Sequence, residues 1–157
     1  MTDTLSKHER NLSAFIHASV FSRYFLPLGN IILPLILWSI NKKDYKFVDY
    51  NGKQVLNFQI SLLLYALVLG VLSIPFLFGA FPNVFEVDHI LFNSFKGFHW
   101  NINGDNFNFR NKFIPFGIAV IAQGGLVILN IIYTILGTLR TNEGQTFKYP
   151  ISINFIK

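Results

Sequence analysis

The chain has 157 residues, 52% of them hydrophobic and only 13% charged, with a mean hydropathy of +0.43. A soluble domain carries roughly a quarter charged residues, so the composition argues against an ordinary water-soluble fold. The net charge of +5 sits beside apolar blocks, which speaks against nucleic acid as a partner, and the lack of cysteine excludes disulfides, thiolate catalysis and cysteine lipidation.

The N-terminus, MTDTLSKHER, mixes charges and leads into no short apolar core, so no cleavable leader is predicted. Residues 8–24 read as a helix. Ser6 is a candidate N-cap, and Glu9 three residues on completes a capping-box pattern. Leu12, Phe15, Ile16 and Val20 form an apolar face, while Ser13, His17 and Tyr24 share another side. Pro27, Gly29 and Asn30 then interrupt the pattern, and a second apolar run, Ile31 to Ile40 with Pro34 inside it, ends at Asn41-Lys42-Lys43. A continuous helix over 12–40 would be about 43 Å long, against a hydrocarbon core of roughly 30 Å. Residues 8–41 therefore form a broken helix or a helical hairpin with its tip near 27–30. At this level it either crosses fully or is re-entrant, giving three to four spans in all.

Residues 44–53 read as a short connector, with a turn signal at Asn51-Gly52. A transmembrane helix follows over 54–80. Asn57, Ser61 and Tyr65 line one side of it; Gln59, Ala66, Gly70 and Ser73 form another face, small enough for close helix packing. Pro75 is expected to kink or end it. Residues 81–112 form an outer loop rich in Asn and Phe. Within it, Asn103-Gly104-Asp105-Asn106 lies between alternating apolar residues, Trp100 and Ile102 before it, Phe107 and Phe109 after it. That pattern predicts a small extracytoplasmic β-hairpin over 100–110. The last transmembrane helix covers 113–140, with Gln123, Asn130, Thr134 and Gly137 on one stripe. Residues 141–157 form a cytoplasmic tail that turns at Asn142-Glu143-Gly144 and then alternates Tyr149, Ile151, Ile153 and Phe155, as an extended segment lying along the inner membrane surface.

Orientation follows from lysine and arginine beside the spans. With the hairpin, nine of them face the cytoplasm (Lys7, Arg10, Lys42, Lys43, Lys46, Lys53, Arg140, Lys148, Lys157), and Lys96, Arg110 and Lys112 face outward. A single kinked span would move Lys7 and Arg10 outside, a poorer asymmetry. The expectation is a multi-pass protein of the cell's inner membrane with both termini cytoplasmic. Its partners are the lipid bilayer and other membrane proteins or further copies of itself.

Catalytic chemistry is not evident. All eight acidic residues lie outside the expected spans, so an intramembrane proton or cation relay is not supported. No paired-His zinc motif, phosphate-cradling glycine loop or nucleophile elbow occurs. His8, His17, His89 and His99 lack metal-ligand spacing, although His89 and His99 share the outer loop. No enzyme activity, metal or cofactor is expected. His17 is read as a packing or interfacial residue.

Several motifs occur together: PLGNIILPLILW with Pro27, Gly29, Asn30, Pro34 and Trp38; Phe47-Val48-Asp49 with Gly52; Asn57-Phe58-Gln59; and Gly144 with Tyr149-Pro150. In this order the chain resembles the bacterial domain-of-unknown-function family 4870, itself similar to the chloroplast import component Tic twenty. That resemblance implies an all-helical integral membrane protein without established enzymatic activity. It implies a role, as an accessory or channel-like subunit, in or near a protein-conducting assembly. Those motif residues are candidate structural or partner-contact positions, and the polar stripe of the last helix adds Gln123 and Asn130. The alternative function is a small-solute transporter using the polar stripe of the last helix.

Overall fold

In the structure, a computed structural model, residues 5–80 and 109–157 are described, with side chains over 5–74 and 114–157. Four α-helices occur among them: α1 (Lys7–Ala18), α2 (Gly29–Asn41), α3 (Lys46–Ala80) and α4 (Phe109–Asn142). A 3-10 helix, Ser19–Tyr24, continues α1 to the hairpin turn. The chain divides into two compact units, residues 1–65 with 126–157, and residues 66–125.

The N-terminal cap forms as its residues require. The Glu9 backbone N–H donates to Ser6 Oγ at 3.2 Å, and the Ser6 N–H donates back to the Glu9 carboxylate at 3.0 Å, so two otherwise orphaned donors are satisfied. The helix pair reverses at residues 25–28. Leu28 adopts left-handed backbone (φ 59°), and Phe25, Leu26, Pro27 and Leu28 all project outward. The hairpin expected near 27–30 is present, as two helices and not one kinked span.

In the first unit, α2 runs antiparallel to the first turns of α3. Asn30 bonds Gln59 near one end, and the Trp38 ring lies on Gly52 near the other. A Cβ at Gly52 would collide with Cδ1, Cγ and Cβ of Trp38, so only glycine permits this approach. Trp38 Nε1 donates to Asp49 Oδ1 at 2.9 Å, and Asp49 also pairs with Lys53 one turn on, at 2.6 Å. These contacts explain why α3 begins at Lys46, eight residues before the expected start at 54. The Asn51-Gly52 turn signal loses to helix capture by α2, and the presumed connector is the first two turns of α3. The core comprises Ile16, Val20, Trp38, Val48, Val55, Leu56, Phe58 and Leu62, closed by Tyr149 from the tail.

The second unit contains the distal parts of α3 and α4. Here Gln123 Nε2 donates to the Ala66 carbonyl at 2.9 Å. α3 runs on past Pro75 to Ala80. No strand occurs among the described residues. Most of the expected β-hairpin over 100–110 lies outside them, and its last two residues, Phe109 and Arg110, already belong to α4.

Two helices are long and apolar enough to cross a membrane, over Lys46–Ile74 and Ile114–Asn142. Only 11% of the most apolar stretch of the second is buried within the protein, unlike the core helix of a soluble domain. Leu67, Val71 and Leu72 on α3, and Ile118, Ile121 and Ile128 on α4, are exposed. Apolar surface of that extent fits lipid contact.

Gly52→Ala is expected to displace Trp38 and cost about 1–3 kcal/mol. Gly124→Ala, where nothing lies within 4 Å of the added methyl, should be neutral or slightly stabilising. Thermal unfolding in detergent distinguishes the two.

Candidate functional site

The most connected polar centre of the first unit surrounds His17, which is fully buried. One imidazole joins four chain segments. Its Nδ1 lies 2.7 Å from the Tyr149 hydroxyl, and its Nε2 lies 3.2 Å from Thr141 Oγ1 and 3.4 Å from Asn51 Oδ1. Those partners assign the tautomer: Tyr149 donates to Nδ1, and Nε2–H points at the Thr141 and Asn51 oxygens. Asn51 is itself held, donating to the Phe47 carbonyl at 2.9 Å. Tyr149 stacks on Phe58, ring centroids 4.3 Å apart, and on His17 at 5.6 Å. Gly137 makes the stack possible, since a Cβ there would strike both His17 and the Tyr149 hydroxyl. His17 belongs to α1, not to α3 or α4, and its partners Asn51 and Thr141 stand near the charged residues Lys53 and Arg140 in sequence. Burial lowers its pKa to about 4, partly opposed by the Asn51 hydrogen bond, and burial pushes the Tyr149 phenol upward.

Deeper along α3 lies a chain of amides. Asn30 Nδ2 donates to Gln59 Oε1 at 2.9 Å, Gln59 Nε2 donates to Asn130 Oδ1 at 2.9 Å, and Thr134 Oγ1 donates to the same oxygen at 3.2 Å. Each amide satisfies the next, as buried polar groups must. α2, α3 and α4 are thereby tied at one level.

A third group clamps the tail. Asn57 Oδ1 accepts from the N–H groups of Phe155 (3.1 Å) and Ile156 (2.8 Å), while its Nδ2 donates to the Ile156 carbonyl (3.0 Å). Ser61 Oγ accepts from the Ile153 N–H, and the Tyr65 hydroxyl donates to the Ile151 carbonyl, both at 2.8 Å. The tail climbs α3 to Tyr65, turns at Pro150 and Ile151 (φ 53°), and returns to Asn57. Positions 57, 61 and 65, one helical turn apart, supply the hydrogen bonds that water would otherwise supply.

A family model of the magnetosome magnetite crystal formation proteins matches residues 8–156, almost the whole chain. The chain belongs to that family. No curated protein and no solved structure matches it. The match replaces the resemblance to domain-of-unknown-function family 4870 and to Tic twenty. The motifs behind that resemblance are instead packing contacts of a magnetosome family member, a small membrane-associated protein.

In this family member the expected positions fall into the centres just described. Asn30, Gln59 and Asn130 form the amide chain, Asn57 clamps the tail, and Phe58 and Tyr149 stack against His17. Asp49 and Gly52 receive Trp38. Gly29 and Pro34 are buried in α2, whereas Pro27 and Pro150 are exposed in turns. Gln123 belongs to the second unit and joins none of these centres. Asn51, read as a turn residue, and Thr141, not singled out, are the two positions sequence reasoning missed. The available signal was an uncharged polar residue beside the charge that ends each apolar stretch, Asn51 near Lys53 and Thr141 next to Arg140. The tail is not helical, as expected, but it docks on α3, with Tyr149 only 2% exposed. Among the described residues no cluster of three His, Asp or Glu could hold a metal ion. Glu86, Asp88, His89, His99 and Asp105 lie outside those residues.

The buried neutral imidazole sets a pH dependence. Between about 4 and 6.5 the unfolded chain binds a proton at His17 that the folded chain does not. The contribution of neutral His17 is therefore full above 6.5 and is lost as the pH falls toward 4. Unfolding midpoints of the wild type in detergent should drop across that window, and those of His17→Gln should depend less on pH.

Proposed function

We infer that the chain is a multi-pass protein of the bacterial inner membrane, or of a crystal-bearing membrane compartment. Both termini face the cytoplasm, and it serves magnetite crystal formation through contacts with other membrane proteins or further copies of itself, not as an enzyme. The observation that carries this reading is the division of its surface and interior. Apolar faces of α3 and α4 are exposed, while the buried His17, Gln59 and Asn57 of the first unit are hydrogen-bonded within the protein. A protein of this kind offers lipid and partner proteins an apolar exterior on a rigid frame. The charge asymmetry of the chain supports the orientation. A solute path along Asn130 and Thr134 is disfavoured, because both are buried and bonded to protein.

The test places a photo-crosslinking residue at Ile121, which is 76% exposed, in membranes of magnetite-forming cells. A discrete crosslinked species is expected, and cells lacking the protein should form crystals altered in size or number. A strictly monomeric protein together with unaltered crystals would overturn the reading.

A further inference from the structure

The register of the hairpin against the two spanning helices defines how deep it reaches. α2 has 13 residues, about 20 Å of helix, well short of a roughly 30 Å hydrocarbon core. Its first turn is level with Gln59 on α3 and, through Gln59, with Asn130 on α4. The uncharged part of α3 runs from 54 to 80, with its midpoint at Leu67. Gln59 lies eight residues, about 12 Å, on the cytoplasmic side of that midpoint. The uncharged stretch of α4 runs from 113 to 139, with its midpoint at Leu126. Asn130 lies four residues, about 6 Å, on the cytoplasmic side of it. On both helices the first turn of α2 thus falls on the cytoplasmic side of the midpoint, and the hairpin stops short of the middle of the bilayer.

The composition of the tip agrees. Phe25 is 86% exposed, and Tyr24, Leu26 and Leu28 are each more than half exposed. No water-facing turn needs four such side chains within five residues. Arg23 is also exposed, with its guanidinium 5.9 Å from the centre of the Tyr24 ring. An arginine beside the tip is very costly at the bilayer centre, but from a shallow position its long stem carries the charge to the headgroups. At the other end of α2, the Lys42 ammonium lies 4.2 Å from the Trp38 ring, an aromatic and a cation at the height where both favour the interface.

We propose that the N-terminal hairpin is re-entrant. It enters only the leaflet on the side of residues 42–53, and it presents Tyr24, Phe25, Leu26 and Leu28 to the upper acyl chains of that leaflet. The occupant of this apolar tip is lipid, and the hairpin displaces acyl chains in one leaflet only. The inference rests on the membrane reading given above.

The test uses the absence of native cysteine. Phe25→Cys, Leu26→Cys and Leu67→Cys, each carrying a bimane fluorophore, are reconstituted into phosphatidylcholine–phosphatidylglycerol vesicles. The lipids carry bromine either near the carbonyl or near the chain end. Phe25 and Leu67 are exposed, so labels there leave the packing intact, and Leu26 provides a second tip position. Labels at 25 and 26 should be quenched at least twofold more by the shallow bromine, and the label at 67 more by the deep bromine. Strongest quenching at 25 and 26 by the deep bromine would overturn the inference. So would reaction of unlabelled Phe25→Cys with an impermeant thiol reagent from the side opposite residues 42–53. A quenched label at 67 with unquenched labels at 25 and 26 would overturn the hairpin inference alone. No quenching at any position would overturn the membrane reading as well.

Discussion

Backbone and amide groups removed from water must find partners within the protein, and in this chain one helix supplies most of them. α3 places Asn51, Asn57, Gln59, Ser61 and Tyr65 within four turns, and each is hydrogen-bonded to another segment or to its own helix. An unmet buried donor or acceptor costs about 1–3 kcal/mol. The hairpin, the tail and the last helix therefore cannot leave α3 singly without stranding polar atoms. The aliphatic core is modest for a chain of this length, and the polar lattice supplies the specificity that determines which segment lies where.

The same constraint divides the roles of polar and apolar surface. Side chains that would be natural ligands or transport-pathway groups, such as Asn130 and Thr134, are instead spent on helix packing. The outward faces of α3 and α4 are left almost purely aliphatic, and association in the membrane then depends on shape and small residues. The chain belongs to the magnetosome magnetite crystal formation family, and its described part is a frame of this kind.

Much of this architecture was legible in the chain. Uncharged stretches located both spans, Pro27-Leu28-Gly29-Asn30 located the turn, and the Ser6–Glu9 pair located the first helix end. The 57–61–65 polar side was visible as a stripe, although its partner was not, because Ser61 and Ile153 are 92 residues apart. The start of α3 was misplaced because Lys46, Asp49 and Lys53 read as a solvated connector. In the fold, Asp49 serves as acceptor for Trp38 and as an i,i+4 partner for Lys53. His17 was underrated for a similar reason: its importance comes from Asn51, Thr141 and Tyr149, none of them near it in sequence. The family resemblance rested on short motifs of turn and packing residues, whereas the match that overturns it covers residues 8–156.

Hydrogen exchange of the tail amides tests the central claim most directly. If Asn57 and Ser61 replace water for the returning strand, the N–H groups of Ile153, Phe155 and Ile156 should exchange far more slowly than an unstructured chain in the wild-type protein. In Asn57→Ala, exchange at 155 and 156 should accelerate severalfold, with α3 itself still protected. Fast exchange of all three amides in the wild type would contradict the account.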